Sequence, residues 1–361
     1  MKFCNIAAIT ILLQTAMFTN AANVTTTTDI NIVGDSAATA TAATTNSTAD
    51  YSFSTADGFT PIDGDFSLVD FITIAPKCPS NEKTKYPKAM FTITPSLVPY
   101  VSCYPANLVT PVVNGSVLEF EWNDAVARGA NSGGVRIGLP YDQLNGLSLD
   151  NTVMAQILSG FTSGPTLMVD GSSTLKAMLN SGFTLDVNGV STVHVVSNAQ
   201  GSVLSNGSSI VKVQAPLLTS IQSDGVSTVE INGNVDGGSI DGASNVFVTG
   251  DISGSLSITG VSTLNANTIS GSVDSDGASK VNAASCDNVK SGTGTMSSCK
   301  VRRPPSVNVD VSPFGAISSN TCECSKFLFS CSSNGSSFGS SISFAIAFVA
   351  GASTLAAFLV M

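Results

Sequence analysis

The middle of the chain alternates apolar and polar residues in short runs between Phe59 and Asp150. The clearest runs are Phe66–Ile74, Ala89–Thr94, Ser116–Trp122 and Gly134–Leu139. Proline, glycine and asparagine separate these runs, and none of them shows the spacing of an amphipathic helix. The pattern predicts short β-strands joined by turns, with essentially no helix.

A regular repeat follows the short strands. The phrase Gly-[Ser/Ala/Val]-Ser-X-[Leu/Val] recurs at intervals of 18, 18, 18, 17, 18 and 17 residues. It begins at Gly171, Gly189, Gly207, Gly225, Gly242, Gly260 and Gly277. A period this short indicates a solenoid, in which each unit buries its apolar side against the next unit.

Apolar residues and further glycines recur at fixed offsets from each repeat glycine. Four residues after it stand Leu175, Val193, Val211, Val229, Val246, Leu264 and Val281. Four residues before it, in six of the seven units, stand Leu167, Leu185, Val203, Ile221, Leu256 and Val273. A second glycine follows 11 or 12 residues after the first in five of the six intervals, at Gly182, Gly201, Gly237, Gly254 and Gly271. Each unit therefore holds two strands and two turns, which predicts an all-β parallel β-helix with 17–18-residue coils, preceded by short strands.

Each repeat glycine is predicted to form a corner of its coil. Glycine readily takes a positive φ, and the Asp or Asn that often precedes it favours a turn. The serine two residues later would stack from coil to coil, hydroxyl to hydroxyl. These serines are Ser173, Ser191, Ser209, Ser227, Ser244, Ser262 and Ser279.

Both ends of the chain carry targeting patterns. Residues 1–22 have one lysine, a short apolar centre and small residues at the end, which predicts a secretory signal peptide. Residues 23–56 are rich in Thr and Ala and predict a disordered spacer. The β-helix domain is predicted for residues 57–286, with its regular repeats at about 165–285. A cysteine-containing linker or stalk at 287–333 follows it.

Residues 334–361 end in an uncharged apolar run after a series of small residues. This order predicts a glycosylphosphatidylinositol attachment signal whose tail is removed, with Ser333 or Asn334 as the attachment residue. A single C-terminal transmembrane helix is the alternative. Either anchor would place the domain on the extracellular face of the plasma membrane.

An extracellular location favours disulfides and glycans. After Cys4 leaves with the signal peptide, Cys78 with Cys103 and Cys286 with Cys299 are the nearest-neighbour pairs. Cys322, Cys324 and Cys331 form an odd set whose connectivity stays open. The Asn-X-Ser/Thr sites are Asn23, Asn46, Asn114, Asn206 and Asn334.

Candidate chemistry is sparse. The net charge is −10 with 11% charged residues and no basic run, which argues against a nucleic-acid partner. His194, the single histidine, follows an inward residue and is predicted to face solvent without a catalytic role. Carboxylates before the corner glycines, such as Asp224 and Asp241, would lie about 5 Å apart on successive coils. They either make the turn or bind Ca²⁺; no cofactor and no metal site is predicted.

The glycine–serine turns resemble those of the auto-transporter adhesin head GIN domain family, which is β-helical. Asn114–Phe120 is similar to that family's turn and strand, and Val135–Leu149 to the strand and leucine-rich segment before its repeats. The resemblance covers about residues 58–286, and it implies a β-helix and a role in adhesion.

These observations together predict an extracellular, lipid-anchored adhesion module without catalysis, whose partners are cell-surface or wall glycans or proteins. A β-helical polysaccharide lyase or hydrolase is the first alternative. An ice-binding solenoid is a lesser one, because regular Ser and Thr rows order water on some β-helices.

Overall fold

The computed structural model describes residues 58–75, 84–87, 89–127, 130, 132–285, 287–291, 298–301, 306–314, 321–325 and 328–332. All of them belong to one compact unit that begins at Tyr51. The fold is a β-solenoid of about eight turns with coils of about 18 residues, and about 1% of the chain is helical. The predicted all-β parallel β-helix is therefore confirmed.

The N-terminal strands are β1 (Thr60–Ile62), β2 (Phe71–Ile74), β3 (Thr84–Pro87), β4 (Ala89–Pro95), β5 (Tyr100–Tyr104), β6 (Val109–Asn114), β7 (Val117–Trp122), β8 (Gly133–Leu139), β9 (Gly146–Leu149) and β10 (Met154–Ile157). One helical turn, α1 (Asp124–Ala127), lies between β7 and β8. The carbonyl of Asn123 accepts hydrogen bonds from the N–H groups of Val126 (3.1 Å) and Ala127 (2.8 Å). This turn is the one departure from the helix-free prediction in the part of the chain that the structure describes.

The repeat strands are β11 (Thr166–Val169), β12 (Thr174–Leu179), β13 (Phe183–Val187), β14 (Thr192–Ser197), β15 (Gly201–Ser205), β16 (Ile210–Ser223), β17 (Thr228–Val235), β18 (Gly238–Ile240), β19 (Asn245–Ile252), β20 (Ser255–Ile258), β21 (Thr263–Ile269), β22 (Ser272–Ser275), β23 (Lys280–Ala283), β24 (Val289–Ser291) and β25 (Ser298–Val301). The chain continues to β26 (Thr321–Ser325) and β27 (Leu328–Ser332).

The repeat strands form two parallel stacks. One stack runs β12, β14, β16, β17, β19, β21, β23, β25. The other runs β11, β13, β15, β16, β18, β20, β22, β24. Strand β16 belongs to both stacks because it continues through the second turn of its coil.

Parallel stacking begins before the first repeat glycine. Strand β9 pairs with both β2 and β11, and β10 pairs with both β4 and β12. Strand β4 also pairs with β8 in parallel. Antiparallel pairs occur at the side of this region, between β1 and β5, β5 and β8, and β6 and β7. The short strands predicted upstream are thus partly coils of the same solenoid.

The core lies between the stacks and contains the aliphatic stripe predicted from the repeat. Every member of the stripe from Leu175 to Val281 is at most 1% exposed. Alternate residues along each strand point inward, so the side chains between them point to solvent. The stripe therefore holds the coils together and sets which residues reach the surface.

The predicted corners are confirmed by the backbone. The seven repeat glycines have φ between +68° (Gly277) and +81° (Gly207). Asp224 Oδ1 accepts a hydrogen bond from the N–H of Gly225 at 2.6 Å. Asp170, Asp241 and Asp276 make the same contact with their own glycines. The acids before the glycines therefore serve the turn.

The predicted hydroxyl-to-hydroxyl contact between corner serines is wrong. The serines stack and are at most 1% exposed. Six of the seven hydroxyls donate to backbone carbonyls, and Ser244 Oγ has no partner among the described residues. Ser191 Oγ lies 3.0 Å from the Asn188 carbonyl and 3.4 Å from the Gly171 carbonyl of the preceding coil. The tight corner thus brings a backbone carbonyl within hydrogen-bond distance of the hydroxyl.

One predicted disulfide is also wrong. Cys103 is a free thiol with no exposed surface, on the inward side of β5, where it packs in the hydrophobic core. Its proposed partner Cys78 lies outside the described residues. Cys299 is disulfide-bonded. Because Cys286 is also outside the described residues, the Cys286–Cys299 pairing stays a prediction.

The C-terminal strands return to the beginning of the domain. Strand β26 pairs antiparallel with β27 on one side and with β3 on the other, and β3 precedes the stacked strand β4 in the chain. Cys322 stands directly opposite Cys331 in the first of these pairs. Opposite residues in an antiparallel pair have Cα atoms about 4.5 or 5.5 Å apart, within the range of a disulfide.

We therefore expect a Cys322–Cys331 disulfide. Peptide mapping under non-reducing conditions tests it, because cleavage after Glu323 separates Cys322 from Cys324. A Cys324–Cys331 link would contradict the register. The buried Cys103 is the internal control, since it should react with an alkylating reagent only after unfolding.

The end-region predictions lie outside the described residues: the signal peptide, the spacer, Asn23, Asn46, Ser333, Asn334 and the apolar tail. Among the residues that the structure does describe, no helix is long and apolar enough to cross a membrane.

Candidate functional site

The most distinctive surface of the solenoid is the solvent side of the stack from β12 to β25, here called the outer face. Its side chains fall in two columns, three and five residues after each repeat glycine. The first column is Thr174, Thr192, Ile210, Thr228, Asn245, Thr263 and Lys280. The second is Lys176, His194, Lys212, Glu230, Phe247, Asn265, Asn282 and Lys300. Neighbours in a column are about 4.8 Å apart.

The last four coils of this face form a groove of about 400 Å³, here called the amide groove. It is lined by Asn245, Phe247, Thr263, Asn265, Lys280, Asn282 and Lys300. A groove of this volume is within the range of small-ligand sites.

A ladder of asparagine amides forms the floor of the groove. Asn282 Nδ2 donates to Asn265 Oδ1 at 2.8 Å, and Asn265 Nδ2 donates to Asn245 Oδ1 at 3.3 Å. These bonds fix the orientation of the amides. Because an amide carries two N–H donors and an oxygen with two lone pairs, the ladder keeps further donors and acceptors for a ligand.

An aromatic ring and two lysines complete the groove. Phe247 is half-buried beside Asn265 in the second column, while Lys280 and Lys300 are exposed. Among the described residues, no carboxylate forms an ion pair with either lysine. The other lysines of the column differ, since Lys212 pairs with Glu230 and Lys176 with Asp310, each at 2.9 Å. The groove thus offers two cations to a ligand.

His194 lies on the outer face, as predicted, but it has no catalytic partner there. Its Nδ1 is 2.7 Å from the backbone carbonyl of Asp310. Ser191, the nearest repeat serine in sequence, is buried at the corner with its hydroxyl on backbone carbonyls. Among the residues that the structure describes, the hydrogen-bond partner of His194 is a backbone carbonyl and not a serine hydroxyl or a carboxylate.

The acids at the corners act on the turn. Asp241 Oδ1 accepts hydrogen bonds from Thr259 Oγ1 and the Gly242 N–H, both at 2.6 Å. The Thr259 bond, followed by the Gly242 bond, lowers the pKa of Asp241. In the described part of the chain, no three His, Cys, Asp or Glu side chains are grouped to hold a metal ion. These contacts favour the turn over Ca²⁺ binding.

Two of the predicted glycosylation sites are visible. Asn114 is exposed at the end of β6, with Nδ2 3.2 Å from Glu119 Oε2. Asn206 is half-buried at a corner, and its Nδ2 donates to Asn188 Oδ1 at 3.1 Å. Both lie away from the amide groove in sequence, and Asn114 is the more accessible side chain.

No family model matches the chain, and no curated protein matches it. Several solved structures are similar to it, and two of them are as follows. A protein of Bacteroides fragilis named as a putative adhesin shares 13% identity, with 60% of this chain and 96% of that chain covered and a TM-score of 0.41. A protein of Parabacteroides distasonis, also named as a putative adhesin, shares 14% identity, with 67% of this chain and 92% of that chain covered and a TM-score of 0.28.

Proposed function

We propose that this protein is an extracellular surface-binding module that holds acidic glycans in the amide groove. The observation that carries the proposal is the combination of the asparagine ladder, Phe247 and the exposed Lys280 and Lys300 in one open groove. Among the described residues, neither lysine forms an ion pair. The adhesion role predicted from the sequence belongs to the same proposal.

Each part of the groove matches a part of an acidic sugar. Sugar hydroxyls both donate and accept hydrogen bonds, as do the amides of Asn245, Asn265 and Asn282. The C–H face of a pyranose packs on an aromatic ring such as Phe247. Carboxylate or sulfate groups pair with the ammonium groups of Lys280 and Lys300. In a uronic acid oligomer, each sugar or the sugar next to it carries the hydroxyl groups, the C–H face and the carboxylate that these contacts need.

The repeat also suits attachment through many weak contacts. Neighbouring coils lie about 4.8 Å apart, so that successive sugars lying in the groove meet successive amides of the ladder. If the chain is anchored by a lipid at Ser333 or Asn334, or by a C-terminal helix, many copies share one membrane. Tethered copies bind a polymeric glycan by avidity even when one groove binds weakly.

Binding of oligogalacturonate to the full-length protein tests the proposal, with a neutral galacto-oligosaccharide of equal length as the reference probe. We expect the wild type to prefer the acidic probe, and Phe247→Ala to weaken its binding about tenfold through loss of the aromatic contact. The double variant Lys280→Gln/Lys300→Gln should bind both probes equally. Added salt should remove the acidic preference, because exposed charges are screened.

Lys212→Gln is the matched control, since Lys212 lies in the same column but is already paired with Glu230. It should bind like the wild type. Equal binding by wild type and Phe247→Ala would contradict the proposed site. Cleavage of oligogalacturonate during the measurement would contradict a binding role without catalysis and favour the lyase or hydrolase alternative.

A further inference from the structure

Residues 306–314, here called the strap, lie against the outer face at the opposite end from the amide groove. They follow the last stacked strand, β25. Asp310 Oδ2 is 2.9 Å from Lys176 Nζ, which also donates to the Ser312 carbonyl at 3.0 Å. The Asp310 carbonyl is 2.7 Å from His194 Nδ1. Two adjacent coils therefore hold the strap through Asp310 and Ser312.

The strap rests on the face by alternate side chains. Val307, Val309 and Val311 are half-buried, while Asn308 and Asp310 are exposed. The ring of Phe314 lies 5.0 Å from Lys176 Nζ. The described strap residues form no strand pairing, so side chains and a few carbonyl contacts hold them. Such contacts are weaker than a sheet ladder, and an ion pair with Asp310 54% exposed contributes little.

The strap and the amide groove share one column of side chains. Lys176 and His194 stand in register, coil by coil, with Phe247, Asn265, Asn282 and Lys300. Lys176 and Lys300 are separated by seven coil steps, or about 34 Å. An extended polymer lying along this column would pass from the groove lysines to the cation that Asp310 covers.

We propose that the strap is a displaceable internal ligand, whose Asp310 carboxylate occupies an anion-binding position at Lys176 while the Asp310 backbone carbonyl contacts His194. An acidic polysaccharide that extends beyond the amide groove takes this position when the strap leaves. Only molecules in which the strap is released can bind the polymer at this position. The apparent affinity for the polymer is therefore reduced by the fraction of such molecules. The ligand class rests on the proposed function, whereas the site rests on the strap's own contacts.

Two variants that loosen the strap separate this proposal from a structural role. Asp310→Asn removes the strap's charge and keeps Lys176, while Lys176→Gln removes the cation. Both should lower the NMR order parameters of residues 306–314, because a released strap moves more freely. Only Asp310→Asn should bind long oligogalacturonate more tightly, by about fivefold. Asp287→Asn is the charge-matched control, because the exposed Asp287 contacts Ser285 and not the strap, and it should change neither quantity.

Displacement in the wild type has a direct reporter, because His194 is the only histidine of the chain. Oligogalacturonate long enough to span seven coil steps should shift the imidazole NMR signals and lower the NMR order parameters of the strap. A short oligomer that fits only the groove should do neither. Unchanged signals and order parameters at saturation with the long probe would overturn the proposal, as would equal affinity of Asp310→Asn and Asp287→Asn.

The outcomes distinguish this proposal from the proposed function. If Phe247→Ala binds normally but Asp310→Asn outbinds Asp287→Asn, the groove assignment fails and the strap site stands. If Phe247→Ala loses binding while the long probe leaves the NMR order parameters of the strap unchanged, the groove stands and the strap inference fails. Absence of binding by every variant overturns both.

Discussion

Replacing Gly225 by alanine is expected to lower the free energy of unfolding by about 3 kcal/mol or more, from two separate causes. The residue has φ +80°, a conformation that costs an L-residue about 1–2 kcal/mol. A Cβ there would also lie 2.5 Å from the Gly207 carbonyl oxygen of the preceding coil. That oxygen accepts the Val226 N–H at 2.7 Å, so the backbone cannot move away without breaking the stack.

Gly115→Ala is the matched control. Gly115 has φ +66°, but no atom lies within 4 Å of the position of its Cβ. Its substitution should cost only the conformational part, about 1–2 kcal/mol. Thermal unfolding followed by circular dichroism separates the two, since about 1 kcal/mol corresponds to about 2–4 °C in a domain of this size. Equal losses in the two variants would show that coil contact adds nothing at the corner.

The corner also explains which part of the fold the sequence predicts. The glycine at each corner and the aliphatic residue four positions later answer local demands that recur in every coil. Gly225 and Val229 therefore have the same roles as Gly242 and Val246, and the repeat period can be read from a single sequence. The parallel pairing of β2 with β9 is different, because it joins segments about 75 residues apart with no repeated phrase.

The amide groove was not predicted, although its signal is present in the repeat. Positions three and five residues after each glycine vary freely, since they face solvent and the coil does not constrain them. Asn245 and Lys280 stand in a column that otherwise holds mostly threonine. Only the register shows that Asn265 and Asn282 continue the column of Phe247. Comparing outward positions between repeats, not only inward ones, would have found the column.

The strap and Cys103 had no such signal. Residues 306–314 lie outside the repeat, and their contact with Lys176 spans 134 residues between Lys176 and Asp310. Cys103 is one of three consecutive buried residues in β5, Val101 to Cys103, so no alternation along this strand marks its side chain as inward. A buried cysteine behaves as a small apolar side chain, and it needs no bridge to be stable.

A second row of inward-facing residues lies beside the groove, two positions after the aliphatic stripe. Ile231 has no exposed surface, and it stands opposite Val248 in β19, next to the Glu230–Phe247 pair of the outer face. Ile231→Ala should lower the free energy of unfolding by about 3–4 kcal/mol, because it removes buried methyl groups and leaves a cavity.

The same substitution at Ile210, which is 44% exposed in β16, is the matched control and should cost less than about 1 kcal/mol. In a solenoid, each coil is stabilised mainly by its neighbours, so the damage at Ile231 should be concentrated in adjacent coils. Hydrogen exchange should therefore rise first in β17 and β19, and with them in the part of the groove that holds Phe247. Uniform loss of protection along the whole stack would contradict this nearest-neighbour behaviour. Equal losses of unfolding free energy for Ile231→Ala and Ile210→Ala would contradict the inward orientation of Ile231.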